Sequence, residues 1–252
     1  MSKREHNDKP SAKTAGAMVI VPSGEIGKYP VAKQNKPFEL TEDCLATTDE
    51  DVTTDPLSRE ELQEIAKHYE TIIQHDTREN ILAIDECGNV IKHAVGTREA
   101  VTMEREFWDD AAIITHNHPD GVTFSATDVS HLFDTDCGEI RVCSGGAWYS
   151  IRKTPAVNLT AVGVEIELSA FLIRADSDAA EAASEKNGIT IEINEETRVC
   201  RAVRPDGMTK EDFLERAEQA RKDYRILRVI ALHKALMSYA KARNLIYEVG
   251  EL

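Results

Sequence analysis

The chain has 252 residues, of which 41% are hydrophobic and 30% are charged, and this composition predicts one or two globular domains with a sizeable core. Its 45 acidic and 30 basic residues give a formal net charge of -15, which argues against a phosphate-binding surface and therefore against nucleic-acid binding. We find no apolar run of membrane-spanning length and no signal-peptide pattern at the start, so we expect a cytoplasmic protein without a membrane partner.

The cysteines are odd in number and show no Cys-x-x-Cys spacing. We therefore expect reduced thiols and not a disulfide framework or a cysteine-ligated metal site. The five residues are Cys44, Cys87, Cys137, Cys143 and Cys200.

Residues 1–55 are predicted to form a flexible arm. The segment is polar, contains four prolines and ends in an acidic, threonine-rich stretch, so it cannot bury enough apolar surface to offset its conformational entropy. Ala17–Val21 is its candidate for a short extended piece. The arm could instead order on a partner or on another copy of the chain, and the sequence leaves these alternatives open.

The next elements are a helix and a hairpin. The helix begins with the capping box of Ser58 and Glu61, continues with apolar residues at helical spacing and ends near His75. A strand over Glu79–Asp85 and a partner strand over Val90–Val95 are separated by a turn. We expect the sheet to continue over Gly96–Met103 and a short link or helical turn over Glu104–Asp110.

The most informative stretch begins with an apolar, β-branched run. Ala111–Thr115 is typical of a buried strand, and His116 and His118 follow at its carboxyl end. Residues two apart in an extended chain point to the same face, so the two imidazoles can converge on one point. This arrangement is typical of metal ligands.

A helix predicted over Ala126–Phe133 supplies the third candidate ligand. Ser125 precedes this helix, and Asp128 lies in its first turn. Two imidazoles, one carboxylate and an open fourth place make the ligand set of a catalytic zinc ion. His-x-His and Ser-x-x-Asp are each weak signals, since the second is also a capping box, but their combination favours a metal site. His131, three residues after Asp128, is the one rival ligand.

The remaining chain is predicted to contain a hairpin, two long helices and short strands. In order, these are strands at Ile140–Cys143 and Ala147–Ile151, a helix over Val162–Lys186, strands at Ile189–Asn194 and Val199–Val203, a helix from Thr209 toward Arg243, and a strand-like Leu245–Val249.

The string His116-Asn117-His118-Pro119 followed by Ser125-x-x-Asp128 resembles the signature of the JAB/MPN (JAMM) zinc metalloprotease family, especially its RadC-like and phage-associated branches. Six residues separate His118 from Ser125, where the usual pattern has seven. The resemblance implies an α/β fold, in which a JAB/MPN-like (cytidine-deaminase-like) mixed sheet is flanked by helices. It assigns residues 56–153 to this metal-binding domain, with the arm 1–55 before it and a mainly helical extension 154–252 after it.

The resemblance also implies a chemistry and the residues that perform it. His116, His118 and Asp128 would bind Zn²⁺, a Glu from an earlier strand would act as the general base, and Ser125 would stabilise the oxyanion. Glu79 occupies that strand position, although Glu70 and Glu86 compete for the role.

The implied activity is hydrolysis of peptide or isopeptide bonds in a protein or peptide substrate, such as a ubiquitin-like conjugate or a protein that is processed. The alternative is a non-catalytic JAB-fold interaction or virion structural protein. A phage-encoded chain would be virion-associated, and the arm or the C-terminal helix offers a surface for a homo-oligomer.

Overall fold

The computed structural model describes residues 39–48, 50–119, 121–194 and 200–252. The predicted extended piece Ala17–Val21 lies outside these residues. The helices are α1 (Arg59–Ile73), α2 (Arg105–Asp109), α3 (Ala126–Asp134), α4 (Ala161–Asn187) and α5 (Lys210–Ala242). The strands are β1 (Asn80–Ile84), β2 (Val90–Val95), β3 (Ile113–Asn117), β4 (Glu139–Ser144), β5 (Ala147–Arg152), β6 (Thr190–Ile193), β7 (Cys200–Val203) and β8 (Ile246–Glu251).

Six strands form one mixed, mostly antiparallel sheet in the order β2-β1-β3-β4-β5-β8. Strands β3 and β4 are parallel, whereas the other neighbouring pairs are antiparallel. A parallel pair needs a crossover, and the chain between β3 and β4 supplies it with α3. The carboxyl end of β3 therefore leads directly into the loop that precedes α3, which is where the candidate ligands lie.

Helices cover both faces of this sheet. On one face, α1 packs its apolar side against β1 and β3 through residues such as Leu62, Ile73 and Leu82. On the opposite face, α3, α4 and α5 pack against the sheet, and Val129, Leu168 and other apolar residues of these helices share one core with it. The result is the α/β architecture that the sequence predicts, with a mixed sheet flanked by helices.

Most predicted elements are confirmed, including the capping box at Ser58 and the boundaries of the long helices. The predicted continuation of the sheet over Gly96–Met103 is wrong, because this segment contains no strand. The reason is local: the Thr97 hydroxyl accepts hydrogen bonds from the backbone N–H groups of Glu99 and Ala100 at 3.2 Å each, and these bonds turn the chain away from the sheet.

Segments outside residues 56–153 also contact the main sheet. Strand β8 pairs with β5 along its whole length and forms the edge of the sheet. At the other edge, backbone N–H groups of Asp43 and Thr47 donate to the carbonyls of His93 and Val90 in β2. The described end of the predicted arm therefore lies along β2. No helix in the described part of the chain is long and apolar enough to cross a membrane.

Candidate metal centre

The two histidines lie at the carboxyl end of β3, on the face covered by α3. Strand β3 runs two residues further than predicted, so His116 is inside the strand and His118 follows its last residue. Both side chains are buried, and their Nε2 atoms are 3.1 Å apart. Alternation along the strand thus brings the two rings to one point, as their spacing predicts.

Asp128 reaches the same point from the first turn of α3. Its Oδ1 lies 3.5 Å from His116 Nε2, and its Oδ2 lies 3.6 Å from His118 Nε2. Asp128 is also part of the capping box, since Oδ2 accepts a 2.6 Å bond from the Ser125 N–H and the Ser125 Oγ accepts a 3.1 Å bond from the Asp128 N–H. The cap and the ligand interpretations are therefore compatible, because Oδ2 accepts the capping bond while Oδ1 faces His116 without a role in the cap.

Backbone carbonyls determine which nitrogen of His118 carries the proton. Its Nδ1 lies 3.1 Å from the carbonyl oxygens of both Val122 and Thr123, and a carbonyl can only accept. His118 therefore donates from Nδ1, and in the neutral ring Nε2 keeps its lone pair toward Asp128 and His116. This orientation is the one that a metal-ligating histidine adopts when its second nitrogen is held by the protein.

The residue between the two histidines fastens β3 to β1. Asn117 Oδ1 accepts a 2.6 Å bond from the Asn80 N–H, and Asn117 Nδ2 donates a 3.0 Å bond to the Arg78 carbonyl. These bonds hold the start of β1 against the end of β3. The sequence did not by itself predict this role for Asn117, although its place between the two candidate ligands points to it.

Burial and mutual attraction shift the ionisation of the three residues in different directions. Burial opposes the charged form of His116, but the charge and hydrogen bond of Asp128 and the charge of Glu79 outweigh it and raise the pKa. For His118 burial prevails and lowers the pKa. Burial also opposes the Asp128 carboxylate, but the two imidazoles and Ser125 hold its pKa well below the usual range. At neutral pH the site therefore contains a carboxylate and a neutral His118, which are the forms that bind metals.

Glu79 lies near this group, as the choice of general base requires. The β1–β3 register pairs Ile81 with His116, and Glu79, two residues earlier, is on the same face of the sheet. Its charge contributes to the raised pKa of His116. The two competitors lie elsewhere: Glu86 is exposed in the β1–β2 turn, and Glu70 is buried under the opposite face.

Glu70 has a different partner, which sequence analysis missed. Both of its carboxylate oxygens accept hydrogen bonds from Arg141 of β4, at 2.6 and 2.8 Å, and Oε1 also accepts one from Thr115 at 2.8 Å. All three side chains are fully buried. The ion pair of Glu70 and Arg141 therefore holds α1 against the face of the sheet opposite to the two histidines.

The rival ligand His131 is not part of the cluster. In the described part of the chain, His116, His118 and Asp128 are the one group of three or more acidic, histidine or cysteine side chains that could hold a metal ion, with ligand atoms within 4.8 Å of one another. His131 instead packs its ring against Trp108, with 4.8 Å between the ring centroids. The geometry therefore brings together a group that could bind a metal ion.

Comparisons of the chain with family models, with curated proteins and with solved structures find no match.

Proposed function

We propose that the chain is a zinc-dependent hydrolase of peptide or isopeptide bonds, of the JAB/MPN (JAMM) type. The observation that carries this proposal is the convergence of His116, His118 and Asp128, with 3.1 to 3.6 Å between their ligand atoms. The resemblance of the motif to that family supports the choice of substrate class. Ubiquitin-like conjugates and proteins that undergo processing both belong to this class.

The distances between the ligand atoms place the three residues within reach of one small metal ion. A tetrahedral ion with bonds of about 2.0–2.1 Å to nitrogen and oxygen needs ligand atoms about 3.3–3.4 Å apart. The two imidazole nitrogens are 3.1 Å apart, and they lie 3.5 and 3.6 Å from different oxygens of the Asp128 carboxylate. With one ligand atom taken from each residue, all three atoms lie within 4.8 Å of one another, which is close enough for them to share one ion. Three protein ligands with an open fourth place are the set typical of catalytic and not of structural zinc.

The protein groups around the ligands have the functions that hydrolysis requires. A bound zinc ion would supply Lewis-acid chemistry, since it polarises a carbonyl and acidifies water. We assign Glu79 to take a proton and to return it to the leaving amine, because it lies on the same face of the sheet as His116. The capping bond uses the Ser125 oxygen as an acceptor, so its O–H can still donate to an oxyanion.

A non-catalytic interaction or virion structural protein is the second candidate, and a surface feature favours it. Of the nine large hydrophobic side chains that are exposed in the described part of the chain, seven lie on α4 and α5. Val162, Ile166 and Ile173 recur at helical spacing and therefore share one face of α4, and an exposed apolar face is typical of a binding surface. In that case a bound metal would stabilise a scaffold.

Two measurements test the proposed function and separate it from the scaffold. We expect about one zinc per chain in the purified protein and its loss in the His116→Ala, His118→Ala double variant. We expect Glu79→Gln to keep zinc but to lower the cleavage of a peptide and isopeptide library by about 10²–10⁴-fold. Glu86→Gln is the matched control, because Glu86 is an exposed carboxylate at the far end of β1.

The possible results lead to different conclusions. Zinc binding that survives the double replacement contradicts the metal site itself. Stoichiometric zinc with no cleavage, or with equal cleavage by wild type and Glu79→Gln, contradicts the hydrolase and favours the scaffold.

A further inference from the structure

A second cluster of reactive side chains lies on the opposite face of the sheet, away from the metal ligands. Cys44 Sγ is 3.8 Å from His93 Nδ1, and His93 Nε2 is 2.9 Å from Asn80 Oδ1. A thiol, an imidazole and an amide thus follow one another, with the imidazole in contact with both neighbours. The same order of groups occurs in enzymes that use a cysteine nucleophile, a histidine base and an asparagine that orients the base.

The backbone holds the thiol beside the imidazole. His93 is in the edge strand β2, and its carbonyl accepts a 3.0 Å hydrogen bond from the N–H of Asp43, the residue before Cys44. Asp43 has a φ of 56°, a left-handed conformation that turns the chain at this point. His93 and Asn80 are fully buried, whereas Cys44 is exposed. The base is therefore held in a buried position, and the cysteine residue that it contacts is exposed to solvent.

The hydrogen bonds of Asn80 determine the tautomer of His93. Asn80 Nδ2 donates a 3.1 Å bond to the Arg78 carbonyl, so the amide oxygen is the atom that faces His93. An oxygen that accepts requires a proton on His93 Nε2. In the neutral ring, Nδ1 then has its lone pair directed at Cys44, which is the tautomer that a general base for this thiol needs.

The surroundings also keep this imidazole neutral. Burial is the largest influence on the pKa of His93 and lowers it. The charges of Asp43 and Asp76 raise this pKa by less, and the still smaller effect of Lys92 lowers it. A neutral ring at pH 7 is able to accept a proton from a thiol.

We propose that Cys44 is a nucleophile for acyl groups, with His93 as its general base and Asn80 as the residue that orients His93. In this step, Cys44 Sγ bonds to the carbonyl carbon of an ester or thioester while the S–H proton passes to His93 Nδ1. The bond from the carbonyl carbon to the leaving alcohol or thiol then breaks, and the same proton goes to the leaving group. The product is an S-acylated Cys44, formed without oxidation or reduction.

The test is acetylation by p-nitrophenyl acetate, with the acetylated cysteine identified by mass spectrometry of peptides. We expect Cys44 to be acetylated at least about tenfold faster than Cys87, and we expect His93→Gln to remove most of this advantage. Cys87 is the internal control, because its pKa is raised by burial and by the charges of Asp85 and Glu86. Mapping the adduct separates this reaction from any ester hydrolysis at the metal centre.

Two outcomes would overturn the proposal. One is an equal rate of Cys44 acetylation in wild type and in a His93→Gln protein whose unfolding temperature is unchanged. If that variant does not fold, the rate at Cys44 in the wild type is measured against pH. An assisted thiol keeps a reactive plateau near pH 7, whereas a single rise with the ordinary thiol pKa of about 8.5 contradicts the role of His93.

Discussion

The double role of Asp128 can be separated by two substitutions. Asp128→Asn keeps a side-chain oxygen that can accept the Ser125 N–H bond, but it removes the charge that faces both imidazoles. Ser125→Ala removes the 3.1 Å bond from the Asp128 N–H to the hydroxyl, but it leaves the carboxylate and its bond to the backbone of residue 125. The first variant should therefore lose metal affinity, and the second should lose helix stability.

The magnitudes follow from these contacts. Loss of an N-cap side chain costs about 1 kcal/mol, which we expect for Ser125→Ala in the free energy of unfolding without metal. Zinc at a concentration of 100 times its Kd stabilises the folded chain by about 2.7 kcal/mol. Changes outside the ligand shell weaken metal binding by about 10–100-fold, so loss of a charged ligand should weaken it by at least about 100-fold. The same zinc concentration would then equal the Kd of the Asp128→Asn protein, so zinc should raise its free energy of unfolding by only about 0.4 kcal/mol.

The assay is urea unfolding of the three proteins, each with and without zinc, together with a zinc titration against a competing chelator. We expect zinc to raise the free energy of unfolding of Ser125→Ala as it does for the wild type, and to have almost no effect on that of Asp128→Asn. The reasoning is refuted if Asp128→Asn retains the full gain, because Asp128 would then be a capping residue alone.

Three further predictions concern other parts of the structure. Replacing Arg141 with Met should cost about 3–5 kcal/mol of unfolding free energy, because Glu70 loses both of its bonds to the guanidinium and the buried Glu139 loses one. The Glu70→Leu, Arg141→Met double variant should recover part of this loss, since Glu139 keeps its other hydrogen bonds. Additive costs of the two replacements would contradict the pairing of Glu70 with Arg141. Burial opposes the charged form of His116, but Asp128 raises its pKa above the ordinary value, so protons should compete with zinc and the zinc affinity should fall as the pH is lowered from the alkaline range through neutrality. Calorimetry in two buffers with different ionisation enthalpies measures the proton that is released when zinc binds. A zinc affinity that does not change with pH would contradict the competition between zinc and protons. Gly250→Ala should destabilise the protein by about 1–3 kcal/mol, because a Cβ at Gly250 would lie 2.7 Å from the rigid indole of Trp148; unchanged urea unfolding would show that β8 can shift away from that ring.

Local patterns were sufficient to predict most elements and the three candidate metal ligands. The alternation of His116 and His118 at the end of an apolar run, and the capping box at Ser125, are determined by neighbours in sequence, and the structure has both. The error over Gly96–Met103 was also local, since the turn made by Thr97 interrupts a segment whose residue types fit a strand. Turn chemistry of this kind is harder to recognise than apolar periodicity.

Contacts between distant segments were not predictable from the sequence. Glu70 is a candidate base in the sequence, but its partner Arg141 is 71 residues away, and only the packing of α1 on the sheet brings the two charges together. Cys44 and His93 are 49 residues apart, and neither stands in a motif. Their juxtaposition depends on which edge of the sheet the early segment follows.

The sequence by itself thus determined the candidate metal ligands, because strand alternation and a helix cap place His116, His118 and Asp128 within one short stretch of chain. The tertiary structure decided what surrounds them: that Glu79 rather than Glu70 lies on their face of the sheet, and that β8 completes that sheet. The physical reason is the distance along the sequence over which each interaction acts. Backbone periodicity and capping act over a few residues, whereas strand order and the burial of paired charges depend on how the whole chain packs.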